Sequence, residues 1–139
     1  MITLRLLFYS MISGLIYLII VDIIWHKLES KVPVLVNFPR ELIDTRSLSW
    51  FISNLIIEFI FFVMMPTVLY DWFYTVLPFS GIRGGIAVAL YVFMLGMVPF
   101  AILIIFRIKI PALFVIFYLA GLLIKLLGCM AIIGFLYSL

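Results

Sequence analysis

Four long apolar runs, separated by three polar or aromatic breaks, set the pattern of this chain. They cover about Leu6 to Ile24, Leu48 to Tyr70, Gly85 to Phe106 and Pro111 to Tyr137. Each is near the roughly 20 residues that a helix needs to cross about 30 Å of hydrocarbon. Backbone groups in lipid find partners only within a helix or a closed barrel. Barrel strands alternate apolar and polar positions over about ten residues, and runs such as Leu55 to Met65 (LIIEFIFFVMM) do not. The pattern predicts an all-α integral membrane protein. Its four transmembrane helices form one domain, an antiparallel bundle.

The first run could be mistaken for a signal peptide, because Arg5 precedes it. It is 19 residues long, and Trp25, His26 and Lys27 follow it in place of a small-residue cleavage site. A signal-peptide core is shorter, about 7–15 residues. The run reads as a retained first span.

The breaks differ in character. Loop 1, Trp25 to Ser47, is the longest; its apolar middle, VPVLVNFP, is interrupted by Pro33 and Pro39. Proline suits the first turn of a helix and an acid is favourable there. Pro39 to Thr45, with Glu41, is therefore expected to form a short interfacial helix. Loop 2 begins with Asp71 and runs DWFYTVLPFSGIRGG. Its Trp72, Phe73 and Tyr74 fit an interfacial aromatic belt. GIRGG reads as a flexible turn whose Arg83 meets lipid phosphates; it lacks the spacing and the Lys-Ser/Thr of a phosphate loop. Loop 3 is only Arg107 to Ile110, so spans three and four must form a hairpin. Pro66 and Pro99 sit inside spans and predict kinks, since each removes a backbone hydrogen bond.

Composition agrees with the pattern. Hydrophobic residues make up 68% of the 139 positions and charged residues 11%, with a mean hydropathy of +1.44. A soluble domain is about 45–50% apolar and about 25% charged, and a disordered chain is poorer still in apolar residues. Net charge is +3, but the cations stand at loops and helix ends, so no nucleic-acid partner is expected. Loops 1 and 3 carry six Lys and Arg, against Arg5 and Arg83 on the other side. The positive-inside rule then puts loops 1 and 3 in the cytoplasm and both termini outside, in a bacterial inner membrane. One cysteine and one histidine leave no intrachain disulfide, no zinc site and no bis-histidine haem. No cofactor is expected.

Ionisable residues within a span are costly and are the first functional candidates. Glu58 lies ten residues into span two, with Asn54 one turn earlier on the same face. Lys125 lies fourteen residues after Pro111 and is flanked by Gly121 and Gly128. Small residues mark the closely packed side of a membrane helix, so Lys125 is expected to face protein. Spans two and four run parallel, and the depths of Glu58 and Lys125 differ by about 6 Å at 1.5 Å per residue. A snorkelling lysine can bridge that. The two form a buried pair or an ion relay. Asp22, Trp25 and His26 form a second cluster at the loop 1 end of span one, with Asp22 and His26 at i, i+4. They read as an interfacial group, or as a contact for a quinone or haem. Span one carries a stripe of Ser10, Ser13, Gly14 and Tyr17, read with Gly121 and Gly128 as helix-packing positions.

Phe73-Tyr74, Leu77-Pro78, Phe79-Ser80-Gly81, Gly84-Gly85 and Pro99, together with Gly14 and Asp22, make the chain resemble small bacterial four-helix membrane proteins grouped as domains of unknown function. The resemblance implies four spans and no established activity.

No Ser-His-Asp set, catalytic carboxylate pair or Cys-His pair is present, so no enzyme is expected. The first expectation is a non-catalytic accessory subunit of a larger membrane complex, covered by lipids, partner subunits or copies of itself. The alternative is an oligomeric small-solute or ion transporter or channel using Glu58 and Lys125. A third reading is a quinone- or haem-contacting subunit of an electron-transfer complex. The discriminating feature is exposure: a cavity reaching Glu58 favours transport, and a dry pair favours a scaffold.

Overall fold

The computed structural model describes residues 4–29, 31 and 48–138. The interfacial helix expected at Pro39 to Thr45 lies outside the described residues. Within them all regular structure is helical and no strand occurs. Helices α1 (Leu4–Glu29), α2 (Leu48–Phe73), α3 (Gly81–Arg107) and α4 (Ala112–Ser138) are each long and apolar enough to cross a membrane.

Three boundaries differ by three residues or more from those the apolar runs predict, and each of these moves residues from a loop onto a helix. α1 continues past Ile24 to Glu29, which keeps Trp25 and His26 on the helix. α2 continues past Tyr70 to Phe73, so Asp71 is a buried helical residue and not the start of a loop. α3 begins at Gly81, so GIRGG forms its first turns and is no flexible turn. Gly81 enters the helix with φ +66, a conformation that L side chains rarely adopt. Gly85 and Gly134 let α3 and α4 meet backbone to backbone. A Cβ on Gly85 would strike the carbonyl of Met130, and one on Gly134 would strike the carbonyl of Gly81. Glycine lowers helix propensity by about 1 kcal/mol, but between membrane helices close backbone approach is the main source of packing energy.

Both in-span prolines come just after a π-turn. Ile60–Met64 lies just before Pro66, and Phe93–Met97 just before Pro99. The Met65 N–H donates to the Ile60 carbonyl, and that of Val98 to Phe93, five residues back in each case. Proline supplies no N–H and its ring crowds the carbonyl four residues back; a wider turn relieves both. Each π-turn also holds one residue more than an α-turn, which takes back about 100° of helical rotation. Tyr70 would otherwise lie about 120° round the helix from Glu58. The π-turn brings it back to nearly the same side. Glu58, Phe62, Thr67 and Tyr70 are accordingly all buried. The same correction aligns Ala101 with Ala89 on α3, both buried.

α4 is the central element and touches all three other helices, while α2 and α3 make little direct contact with each other. The core gathers Leu126, Cys129, Met130 and Ile133 of α4 against Leu18 of α1, Val63 of α2 and Ala89 of α3. Outer faces carry Ile, Leu and Phe in quantity, Phe106 being 84% exposed, as suits surfaces that meet acyl chains.

Candidate functional site

Three stripes of side chains, one from each of three helices, line a vestibule of about 390 Å³. α1 supplies Asp22, Trp25, His26 and Glu29; α2 supplies Trp50, Phe51, Asn54 and Glu58; α4 supplies Phe114, Tyr118, Gly121, Leu122 and Lys125. Steps of three and four residues keep each stripe on one helix face. All three start at the helix ends that adjoin loops 1 and 3, and each ends on an ionisable residue. At 1.5 Å per residue, Asp22, Glu58 and Lys125 lie about 10, 15 and 20 Å in from the ends of their helices.

Those three residues meet. Lys125 Nζ lies 2.7 Å from Asp22 Oδ1 and 2.5 Å from Glu58 Oε1. All three are buried. The second oxygen of each carboxylate, Asp22 Oδ2 and Glu58 Oε2, is buried without a hydrogen-bond partner. One ammonium thus serves two carboxylates, and two acceptor oxygens remain unused. Fully ionised, the cluster carries one net negative charge. One proton or one monovalent cation brings it to neutrality.

Glycines make the room. The indole of Trp25 occupies the space a Cβ on Gly121 would need, and the Tyr17 ring occupies that at Gly128. Tyr17 then donates its hydroxyl proton to the Ile124 carbonyl at 2.9 Å. Gly14 accepts the Val63 side chain at the α1–α2 contact. Trp25 stacks on Phe117, ring centroids 4.6 Å apart.

The structure therefore regroups the expected residues. Glu58 and Lys125 are in contact, Asn54 lies above them in the vestibule wall, and Asp22 joins them as a third charge. Asp22 is buried against Lys125; Trp25 and His26 line the vestibule above it. The signal for Asp22 was its place inside the apolar run Leu6 to Ile24. A third buried acid was missed. Asp71 accepts a hydrogen bond from the Tyr137 hydroxyl at 2.7 Å, near the opposite ends of α2 and α4. Ser10 and Thr67 also have buried hydroxyls without partners. Each lies one turn from the Gly14–Val63 contact, on the side away from the cluster.

A second cavity, about 830 Å³, separates α2 from α3 over a floor of Leu122, Leu126 and Met130. Its walls are apolar apart from Asn54 and Glu58 at one end and Tyr70 towards the other. Glu58 and Asn54 line both cavities. Comparisons of the chain with family models, with curated proteins and with solved structures find no match.

Proposed function

We propose that this chain is a small proton-linked membrane transporter whose loading site is the Asp22–Glu58–Lys125 cluster. The observation that carries the reading is the pair of unpartnered, buried carboxylate oxygens at the base of a vestibule whose lining runs inward from the Glu29, Leu48 and Ala112 ends of α1, α2 and α4. A scaffold pair needs one acid for one base and no cavity. Here a second acid is present, and a cavity leads to it. Buried polar atoms are ordinarily satisfied, so an acceptor left open in apolar surroundings favours a proton or cation that comes and goes.

In this reading the helices form an antiparallel bundle with loops 1 and 3 in the bacterial cytoplasm, following the Lys and Arg bias, and the site loads from that side. Lys125 holds the two carboxylates together through either charge state. Asp22 and Glu58 exchange the proton, and Asn54 orders its approach.

Infrared difference spectroscopy of the protein in lipid, between mildly acid and mildly alkaline buffer, tests this. A reversible protonated-carboxyl band is expected, shifted by deuterium and removed by Glu58→Gln or Asp22→Asn. A band absent throughout, with the protein folded, would refute the proposal. The accessory-subunit reading draws on the exposed aromatics Phe61, Trp72 and Phe73 of α2. Its test is mild extraction: co-migration with a larger enzyme in fixed stoichiometry would support it.

A further inference from the structure

We infer that the cleft between α2 and α3 binds a lipophilic organic cation, entering sideways from the membrane, with its positive charge at Glu58. The inference rests on the reading of Glu58 as an exchangeable carboxylate and supplies the substrate class which that reading leaves open.

Shape comes first. The two cleft walls each carry a π-turn followed by proline: Phe62, Met65 and Pro66 on one side, Val92 and Met97 on the other. The widened turns sit where α2 and α3 part, and α4 holds both without bringing them together. About 830 Å³ lies between them, within the roughly 300–1,000 Å³ typical of small-molecule sites. A mostly apolar lining with a few polar groups at one place is also typical of such sites.

Charge then selects the occupant. Glu58 is the one acid in the cleft wall, and no Lys, Arg or His lines it among the described residues. Lys125 belongs to the vestibule and not to the cleft. An anion would meet a carboxylate and no Lys, Arg or His of the cleft wall. A neutral hydrocarbon would leave Glu58 Oε2 unpartnered. A cation on a bulky apolar frame matches the apolar wall and offsets the net negative charge of the cluster at Glu58. Phe61, Phe62, Tyr70 and Phe73 line the same cleft, and aromatic faces attract cations.

Glu58 is where the two cavities meet. The groups facing it are Asp22 from α1 and Lys125 from α4, with the Cys129 thiol one turn further along α4; His26 and Glu29 stand higher in the vestibule. α3 contributes no titratable side chain to the cleft wall. The cluster needs one positive charge for neutrality, and a proton from the vestibule or a cation from the cleft can supply it. The two compete, so one leaves as the other arrives, an exchange of one for one.

The test is equilibrium binding of tetraphenylphosphonium to the full chain in detergent, with tetraphenylborate as the anionic twin. Folding is checked by protection of Cys129 from maleimide. Saturable tetraphenylphosphonium binding is expected, tightening up to tenfold per pH unit as protons become scarce. Glu58→Gln should weaken it at least tenfold and abolish the pH dependence. Val92→Trp should fill the cleft and weaken it comparably, while Phe106→Trp on the lipid-facing surface should not. No saturable binding to folded protein, equal binding to Glu58→Gln, or equal binding of tetraphenylborate would each overturn the inference. A reversible carboxyl band without tetraphenylphosphonium binding defeats the inference and leaves the proton reading standing. Binding that needs Glu58 but ignores pH, with no such band, upholds the cleft and defeats the proton reading.

Discussion

Replacing Lys125 by methionine should be the most damaging single change in the cluster. Its ammonium lies within 2.7 Å of Asp22 and 2.5 Å of Glu58, so its loss strands two buried carboxylates together. Removing one partner of a buried pair costs about 3–5 kcal/mol. Two stranded charges place Lys125→Met at the upper end, about 5 kcal/mol. Removing one acid acts differently. Glu58→Gln leaves Asp22 and Lys125 as a balanced pair and keeps an acceptor for Nζ. The loss should be about 1 kcal/mol, the net worth of a hydrogen bond; Asp22→Asn should behave alike. The double variant Asp22→Asn with Glu58→Gln leaves Lys125 without a counter-charge and should lose about 3–5 kcal/mol, well beyond the sum of the singles. The chain supplies its own reporter. Cys129 is the one cysteine and is buried, so maleimide labelling along an SDS titration in mixed micelles reads unfolding. The Lys125→Met deficit should shrink in acid buffer, because a proton can then stand in for the lost ammonium. Additive losses in the double variant, or a Lys125→Met no worse than Glu58→Gln, would show that the three residues are not one electrostatic unit.

Gly85→Ala should lower stability by about 1–3 kcal/mol, the usual cost of overpacking, because its methyl group meets the Met130 backbone. Gly96→Ala, with nothing within 4 Å of its Cβ, should be neutral or gain up to about 1 kcal/mol of helix propensity; thermal unfolding of the two variants checks the contrast. Tyr137→Phe removes the donor to buried Asp71 and should cost about 1–3 kcal/mol, with Asp71→Asn together with Tyr137→Phe costing less; denaturant titration decides. In a Cys129→Ser background, Asn54→Cys should react with a membrane-impermeant thiol reagent added on the loop 1 side and not from the other side. Equal labelling from both sides would mean that the vestibule is not one-sided.

Spans are legible in this sequence because lipid demands long apolar runs, whatever the packing. Glu58 and Lys125 were legible because a charge within such a run is conspicuous. Asp22 was conspicuous for the same reason, but its nearness to Trp25 and His26 drew it to the interface. What mattered was where α1 ends. Five more helical residues keep Trp25 and His26 on α1 with Asp22, which is buried against Lys125. Asp71 was obscured twice. It abuts Trp72 and Phe73, which look like a loop-edge belt, and it stands one residue past the apolar run Leu48 to Tyr70. The π-turn at Ile60–Met64 was not legible either. Pro66 announces a disturbance, but not that the helix will absorb it by widening instead of breaking. GIRGG shows the limit of reading glycine locally. Three glycines in five residues suggest freedom, yet Gly85 is held against Met130 and Gly81 against Gly134 of the facing helix.

The arrangement around α4 separates what is fixed from what can change. α3 and α4 are joined through glycines at backbone distance, and Tyr17 and Trp25 lock α1 onto α4 over Gly128 and Gly121. Neither contact leaves room to slide. α2 differs: it holds to α1 and α4 through side chains, and it stands apart from α3 across the cleft. It also carries Glu58, which lines both cavities, and the π-turn just beyond it. A helix that bears the shared acid, borders both cavities and contains a widened turn is the element whose position decides which cavity Glu58 serves. Spin labels on α2 and α3 across the cleft should therefore change separation when tetraphenylphosphonium is added, while a pair on α3 and α4 should not. A fixed α2–α3 distance in folded, ligand-bound protein would make Glu58 a stationary site and rule out this division of the bundle.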